Sequence, residues 1–281
     1  MSTILEGRKV RDELAVALAA KIAPLNPKPK LVIIQIGDRP ESNVYIRQKI
    51  KLGEKIGAEV GHLKLPENVD QEKIQEIIRE LNHDSGAHGI IVQLPLPPHL
   101  KREEIIDTIA PVKDVDGLTS ENVKALWLND ERGIMPATAR GVMTLFKYYE
   151  IPLAGKNVVI IGRSMLVGKP LAMALLNANA TVTILHSQSQ ELEKFTQAAD
   201  IIVTATGNPE LITRKYLRSN QIIIDVGITV TEEGKVVGDL DREIAEELAS
   251  AFSPVPGGVG PMTVISLFEN LLQAYKQQTV K

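Results

Sequence analysis

The stretch Asn157-Val-Val-Ile-Ile-Gly162-Arg-Ser-Met-Leu-Val-Gly168-Lys-Pro170 decides the fold. A β-branched run of strand length ends at Gly162, and a helical pattern, Lys169 to Asn177, opens after Gly168. Strand, glycine turn and helix is the arrangement in which backbone N–H groups at a helix start hold a pyrophosphate. The glycines let the phosphate approach the backbone closely. The spacing departs from the usual fingerprint, because Ser164 stands in place of the second glycine and Gly168 comes one residue late. A structural turn is the alternative, and the strand–turn–helix context favours a nucleotide.

The same alternation runs outward in both directions. Leu31 to Ile36, Gly89 to Leu94, Thr181 to Leu185, Asp200 to Thr204 and Gln221 to Val226 have the Ile/Val content and length of buried parallel strands. Helical patterns lie between and around them at Arg8 to Ile22, Ser42 to Ile56, Gln71 to Leu81 and Arg140 to Glu150. Such a chain is α/β with mostly parallel sheets. From 157 to 228 it reads strand, turn, helix, strand, helix, strand, helix, strand, which predicts a Rossmann-like dinucleotide-binding domain. The boundary falls near 140–155, around Ile151-Pro152. Residues 1–140 are expected to form one α/β domain with a returning C-terminal helix at 263–281, and 141–262 the other. The length of 281 residues suits two domains.

Composition removes several function classes. No cysteine is present, so disulfides, thiolate catalysis and Cys-ligated metal sites are excluded. With 32 basic and 35 acidic residues the formal charge is −3, and no basic run marks a nucleic-acid or membrane surface. Met1 to Val10 is polar, unlike the apolar core of a signal peptide, and no stretch reaches the ~20 apolar residues of a membrane span. The expectation is a soluble cytoplasmic protein.

The strand after the glycine turn separates NADP from NAD. An NAD site calls for Asp or Glu at its end, to bind the ribose 2′-hydroxyl. Here it ends Ile184-Leu185-His186-Ser187, with no carboxylate before Glu191, while Arg163 sits in the turn. A 2′-phosphate requires cationic and hydroxyl partners, so NADP is favoured. The plainer alternative makes Arg163 a solvated surface residue and Ser187 a helix cap.

Two further places can carry chemistry. In Ser42 to Ile56, Tyr45, Lys49, Leu52 and Ile56 fall along one helical stripe with Ile46, Ile50 and Gly53 beside it. Lys49 therefore occupies an apolar face one turn from Tyr45. It either snorkels its amine to water or is desolvated and exchanges protons near neutral pH. The second place is a set of loops following strands. Gln93 ends a strand before Pro95-Leu-Pro-Pro98, Lys113-Asp-Val-Asp-Gly117 follows, and Pro254-Val-Pro-Gly-Gly-Val-Gly-Pro261 comes late in the chain. A buried Asp116 matches a heterocycle edge with two parallel N–H donors, although Asp-Val-Asp-Gly is also an ordinary turn sequence. The aspartates lack the neighbours of a metal site, so no metal is expected.

Together these residues resemble the bifunctional methylenetetrahydrofolate dehydrogenase/methenyltetrahydrofolate cyclohydrolase (FolD-type) family. The matching strings are Ser42-x-x-Tyr45-x-x-x-Lys49, Gly89-Ile-Ile-Val-Gln-Leu-Pro-Leu-Pro97, Lys113-Asp-Val-Asp-Gly117, Gly162-Arg-Ser-x-x-Val-Gly-x-Pro170, Ile224-Asp-Val-Gly-Ile228, Val237-Gly-Asp239 and Pro254-Val-Pro-Gly-Gly-Val-Gly-Pro-Met-Thr263. They span nearly the whole chain in the family's order. The resemblance implies two α/β domains with folate in the cleft between them, NADP as cofactor and a homodimer. It implies oxidation of 5,10-methylenetetrahydrofolate to the methenyl form, then hydrolysis to 10-formyltetrahydrofolate. It also implies that Lys49 handles the proton in hydrolysis, Gln93 tunes it, Tyr45 stacks on the folate and Asp116 anchors the pterin. Pro256, Gly257 and Gly260 are implied on the substrate, and Gly162, Arg163, Ser164, Ser187 and Ile228 on the dinucleotide. Residues 118–126 differ from the family's usual string, so a dehydrogenase with weakened cyclohydrolase activity is one alternative. A non-catalytic nucleotide-binding protein is another.

Overall fold

The computed structural model describes residues 2–209, 211–231 and 234–279. The first part of the chain runs β1 (Thr3–Ile4), α1 (Gly7–Ile22), β2 (Lys30–Ile36), α2 (Pro40–Ile56), β3 (Glu59–Leu65), α3 (Gln71–His83) and β4 (Gly89–Val92). Then come α4 (Arg102–Ile106), α5 (Ser120–Trp127), α6 (Ala137–Tyr148), β5 (Asn157–Ile161), α7 (Gly168–Asn177), β6 (Thr181–Leu185), α8 (Leu192–Ala198) and β7 (Ile201–Thr204). The last elements are β8 (Gln221–Asp225), β9 (Thr229–Val230), β10 (Val236–Val237), α9 (Arg242–Leu248), β11 (Ala249–Phe252) and α10 (Val259–Thr279).

One compact unit comprises residues 13–137 and 264–281. Its sheet is parallel in the order β3-β2-β4, with Ile33 opposite both His62 and Ile91. The β-branched run of β2 is buried on both faces, as expected of a central parallel strand. Ile34, Ile36, Ile90 and Val92 pack on Ile74 and Ile78 of α3, each such side chain contributing about 1.5–3 kcal/mol by burial. The strand β2 leads through Gly37-Asp38-Arg39 into α2, where Pro40 fits the first turn because its missing N–H would be unpaired there anyway. The helix stops at Gly57, left-handed at φ 77° with its N–H on the Glu54 carbonyl.

The other unit comprises residues 1–12 and 138–263. Its main sheet has six strands, all parallel, in the order β6-β5-β7-β8-β11-β1, and β9 and β10 pair antiparallel as a separate two-stranded sheet. With β5 between β6 and β7, the strand order reverses direction at the glycine turn, the place where such sheets bind ligands. Val159, Ile161, Leu185, Ile202, Ile223 and Phe252 form a core beneath it.

The structure departs from the sequence reading in three ways. Residues 1–12 were expected with 13–140, but Thr3 and Ile4 add β1 to the edge of the larger sheet beside Ala251 and Phe252. The helix expected between β7 and β8 is only a 3₁₀ turn, Arg214–Tyr216. The strands β3, β9, β10 and β11 lie outside the strands read from the sequence. Of these, β3 is a largely solvated edge strand, β9 and β10 pair antiparallel with each other, and β11 directly follows α9.

Candidate active site

The first functional cluster lies in the unit built on β3-β2-β4. The buried line of α2 is Ser42, Ile46, Leu52, Gly53 and Ile56, and Tyr45 and Lys49 flank it, half-buried. Lys49 does not snorkel: its Nζ donates to Oε1 of Gln93 at 2.9 Å. The Gln93 amide is oriented from its other end, since Nε2 donates to the Leu94 carbonyl at 2.8 Å. Gln93 in turn is held at the carboxyl end of β4 by its own N–H, which donates to Ile34 O at 2.8 Å. Burial pushes the Lys49 amine below the usual lysine range, and the charge of Asp116 opposes that shift. Burial likewise pushes Asp116 up, with Lys49 pulling it back. Each group thus lowers the cost of ionising the other in a desolvated place. Tyr45 is raised by burial alone.

The loop that carries Asp116 is built by residues the sequence reading left without a role. Asp114, buried, accepts from Gly117 N at 2.9 Å, Thr119 N at 2.7 Å and Asn122 Nδ2 at 3.0 Å. This curls the chain through Gly117, left-handed at φ 73°, where a Cβ would lie 2.6 Å from Pro136 N. Asn270 of α10 ties down both sides: its Nδ2 donates to Val115 O at 2.8 Å and Met135 O at 2.9 Å. Lys113 is structural, its amine capping α3 through Leu81 O at 2.9 Å and Asp84 O at 2.7 Å. The two aspartates of Asp-Val-Asp-Gly therefore divide the work. Asp114 folds the loop, and Asp116 is left to face Lys49.

The second cluster lies on the other unit, at the carboxyl edge of its parallel sheet. Gly162 follows β5 at φ 125°, and a Cβ there would sit 2.4 Å from Ala205 O. Only glycine permits this turn, and it leaves a cradle of bare backbone before α7. Ser164 Oγ accepts from Val167 N at 3.2 Å, shaping the same turn. Arg163 is exposed and makes no ion pair among the described residues. After β6, Ser187 is exposed and caps no helix, because α8 starts only at Leu192 behind Glu191. No carboxylate stands at the end of β6, and the residues present suit a 2′-phosphorylated ribose. Ile228 follows β8 and is exposed, while Pro256, Gly257 and Gly260 follow β11 on this unit.

Two carboxylates that the sequence reading left without a role organise that edge. Asp225 accepts from Thr204 Oγ1 at 3.0 Å, Gly227 N at 2.9 Å and Leu240 N at 3.0 Å. Burial pushes it up to about 6. Asp239, fully buried, accepts from Thr206 N at 2.7 Å and Asn208 N at 3.0 Å. The sequence offered no sign of these roles, and only the long-range partners reveal the scaffold. Among the described residues no group of three or more His, Asp or Glu is arranged to hold a metal ion, and no helix is long and apolar enough to cross a membrane.

Residues 136–279 match the family model described as tetrahydrofolate dehydrogenase/cyclohydrolase, NAD(P)-binding domain, and residues 5–116 match its catalytic domain. A protein of Ligilactobacillus salivarius named Bifunctional protein FolD is 42% identical over 276 residues, 97% of this chain and 96% of that protein. The crystal structure of the bifunctional FolD methylenetetrahydrofolate dehydrogenase/cyclohydrolase from Campylobacter jejuni superposes with a TM-score of 0.97 at 41% identity, covering 99% of each chain. The Trypanosoma brucei FolD structure, complexed with NADP cofactor and inhibitor, gives 0.95 at 34% identity, covering 100% of this chain and 99% of that one.

Proposed function

Because the chain belongs to the tetrahydrofolate dehydrogenase/cyclohydrolase family, we propose that Lys49, Gln93, Tyr45 and Asp116 are its folate-handling residues. The protein is a bifunctional enzyme. It oxidises 5,10-methylenetetrahydrofolate to the methenyl form with NADP⁺ and hydrolyses that product to 10-formyltetrahydrofolate.

The observation that carries the residue assignment is the buried Lys49 amine on Gln93, 2.9 Å away, within the field of Asp116. Water adding to the methenyl carbon must lose a proton, and the ring nitrogen that departs must gain one. An amine lowered by burial takes the first proton as a base and delivers it as an acid. Gln93 fixes where that amine points. Asp116 accepts from the paired N–H groups of the pterin and helps hold charge on Lys49. The Tyr45 ring, half-buried one turn before Lys49, gives the folate a face to stack on.

Bound NADP⁺ supplies the hydride acceptor. Gly162 gives the pyrophosphate close access to backbone N–H groups, Ser164 shapes that turn, and Arg163 with Ser187 binds the 2′-phosphate. Ile228 lies against the dinucleotide, and Pro256, Gly257 and Gly260 contact the substrate. Oxidation needs no side-chain acid or base once the two carbons are held together, so these residues act by positioning. We assign the unit 13–137 with 264–281 to folate and the unit 1–12 with 138–263 to NADP. The enzyme works as a homodimer in the cytoplasm, a reading supported by the family resemblance and by a cofactor of central metabolism. Spectrophotometric assay of both half-reactions with NADP⁺ and NAD⁺, with light scattering on the same preparation, tests the whole assignment. Absence of folate turnover would overturn it.

A further inference from the structure

Gln35 interrupts the aliphatic run 31–36 near the carboxyl end of β2 and is 1% exposed. A buried amide is costly unless both ends are satisfied. Both are. Its Oε1 is 2.8 Å from His62 Nε2, and its Nε2 donates to Asn43 Oδ1 at 2.8 Å. Asn43 Nδ2 donates onward to Asp38 Oδ1 at 2.7 Å, and Lys64 Nζ closes on the same oxygen at 2.8 Å.

The direction of this chain is fixed from its acidic end. Asp38, held below the usual carboxylate range by Lys64 and Asn43, only accepts. Asn43 must therefore turn its NH₂ to Asp38 and its oxygen to Gln35. Gln35 must then give its NH₂ to Asn43 and its oxygen to His62, so His62 carries its hydrogen on Nε2. Turning over the Gln35 or the Asn43 amide would set donor against donor at one end and acceptor against acceptor at the other.

The position of the chain gives it a purpose. Gln35 is in register with Lys64, and Ile33 with both His62 and Ile91, so Gln35, His62 and Lys64 share one face of the sheet. Gln93 comes one step past Val92, the partner of Ile34, and so stands beside Gln35 on that face. Two neighbouring glutamines thus grip α2 at two points: Gln35 at Asn43 in its first turn, and Gln93 at Lys49, about 9 Å further along the axis.

We propose that the His62–Gln35–Asn43–Asp38 chain is a positioning device for Lys49, clamping the start of α2 so that the amine meets Gln93. This rests on the proton-handling role given to Lys49 above. None of the four need touch substrate, and their effect is to hold α2 at one angle and one register against β2.

The test uses the full chain and the variants Gln35→Met, Asn43→Ala and the double. Methenyltetrahydrofolate hydrolysis and NADP⁺-dependent oxidation are measured on each. Gln35→Met keeps the side-chain length and removes both polar contacts. Hydrolysis kcat is expected to fall about tenfold, part of the roughly 100-fold or more that acid–base catalysis supplies. KM for the methenyl substrate should stay within about twofold, and the oxidation kcat should fall less than the hydrolysis kcat. The double variant should lose no more than the worse single, because both cut the same chain. A folded Gln35→Met with hydrolysis kcat within about twofold of the parent overturns the proposal, as do multiplicative losses in the double. If Gln35→Met does not fold, Asn43→Ala, at the half-buried helix start, decides by the same criteria. A parent that hydrolyses no methenyltetrahydrofolate would sink the role of Lys49 and this inference together. An active parent with an unaffected variant sinks only the inference.

Discussion

Lys49 and Gln93 meet at 2.9 Å although 44 residues separate them, one on the second helix of the chain and the other just past its fourth strand. The contact turns a sequence pattern, a lysine on an apolar helix face, into a defined chemical setting. Replacing Lys49 by Ala removes the amine without adding bulk. Hydrolysis of methenyltetrahydrofolate should fall by about 100-fold or more, since general acid–base catalysis contributes at least that. Circular dichroism and the melting curve should stay those of a folded protein, because a half-buried, desolvated amine gives the fold little. Wild-type hydrolysis by Lys49→Ala would refute the assignment.

Arg163 makes no ion pair among the described residues and stands at the glycine turn, on the sheet edge that also carries Ser187. Charge-assisted hydrogen bonds to phosphate are worth about 1.5–3 kcal/mol. Arg163→Ala should therefore raise the Kd for NADP⁺ about 10- to 150-fold and leave that for NAD⁺ nearly unchanged. Isothermal titration with both dinucleotides gives the comparison, and equal losses would remove Arg163 from 2′-phosphate recognition.

These two sites were legible in sequence to different depths. The β-branched runs at 31–36, 157–161 and 181–185 announce buried parallel strands because burial on both faces leaves no alternation to confuse them. Edge strand Glu59–Leu65 was missed for the converse reason: its sequence, Glu-Val-Gly-His-Leu-Lys-Leu, is largely exposed and polar. The apolar face of α2 was read with Lys49 at its centre, whereas the buried line runs one position over, through Ile46 and Gly53. Helical spacing gives a face to within about one residue, and packing decides the rest. Asp225, Asp239, Asn270 and Gln35 were out of reach because their function lies in partners distant in sequence, and Asp114 because its partners, three to eight residues on, leave Asp-Val-Asp-Gly looking like an ordinary turn. The one available signal was a polar residue, Gln35, inside an aliphatic run.

Asn270 offers a test of how the Asp116 loop is held. It is fully buried and donates to carbonyls at Val115 and Met135, one on each side of Asp116. Asn270→Ala leaves those carbonyls short of a partner, a cost of about 1–3 kcal/mol in urea-monitored stability. If the loop positions Asp116 for the pterin, folate KM should rise as well. A stability loss with unchanged KM would separate the loop from the substrate.

Gly162 combines a positive φ of 125° with a Cβ position 2.4 Å from Ala205 O. Gly162→Ala meets both backbone strain, about 1–3 kcal/mol, and an overlap that only movement of the Ala205 backbone relieves. NADP⁺ affinity should fall steeply while the isolated three-stranded sheet around Lys49 is untouched. Hydrogen exchange resolves the two units: faster exchange is expected at β5 and β7, and unchanged protection at β2. Uniform protection in both units would show that the turn tolerates a side chain.

Asp225 makes a prediction about pH. It is buried and raised to about 6, burial being the main cause and the Asp239 charge adding to it. Its unfolded value lies near 3.8, the ordinary value for the group. A folded value above the unfolded one means the native state binds the proton more tightly. The stabilising contribution is then fully present below the unfolded value and is lost as pH rises through about 6. Once Asp225 is ionised, the native state is disfavoured by about 3 kcal/mol relative to an unshifted carboxyl. The three donors from Thr204, Gly227 and Leu240 then hold a full charge, and the edge carrying Ile228 keeps its shape. Carbon-13 NMR of the Asp225 carboxyl should show a midpoint near 6, with stability to urea declining between about pH 4 and 6 on this group's account. A midpoint at the ordinary aspartate value would mean that the three hydrogen bonds offset burial, and this group would then give the dinucleotide-binding unit no such pH dependence.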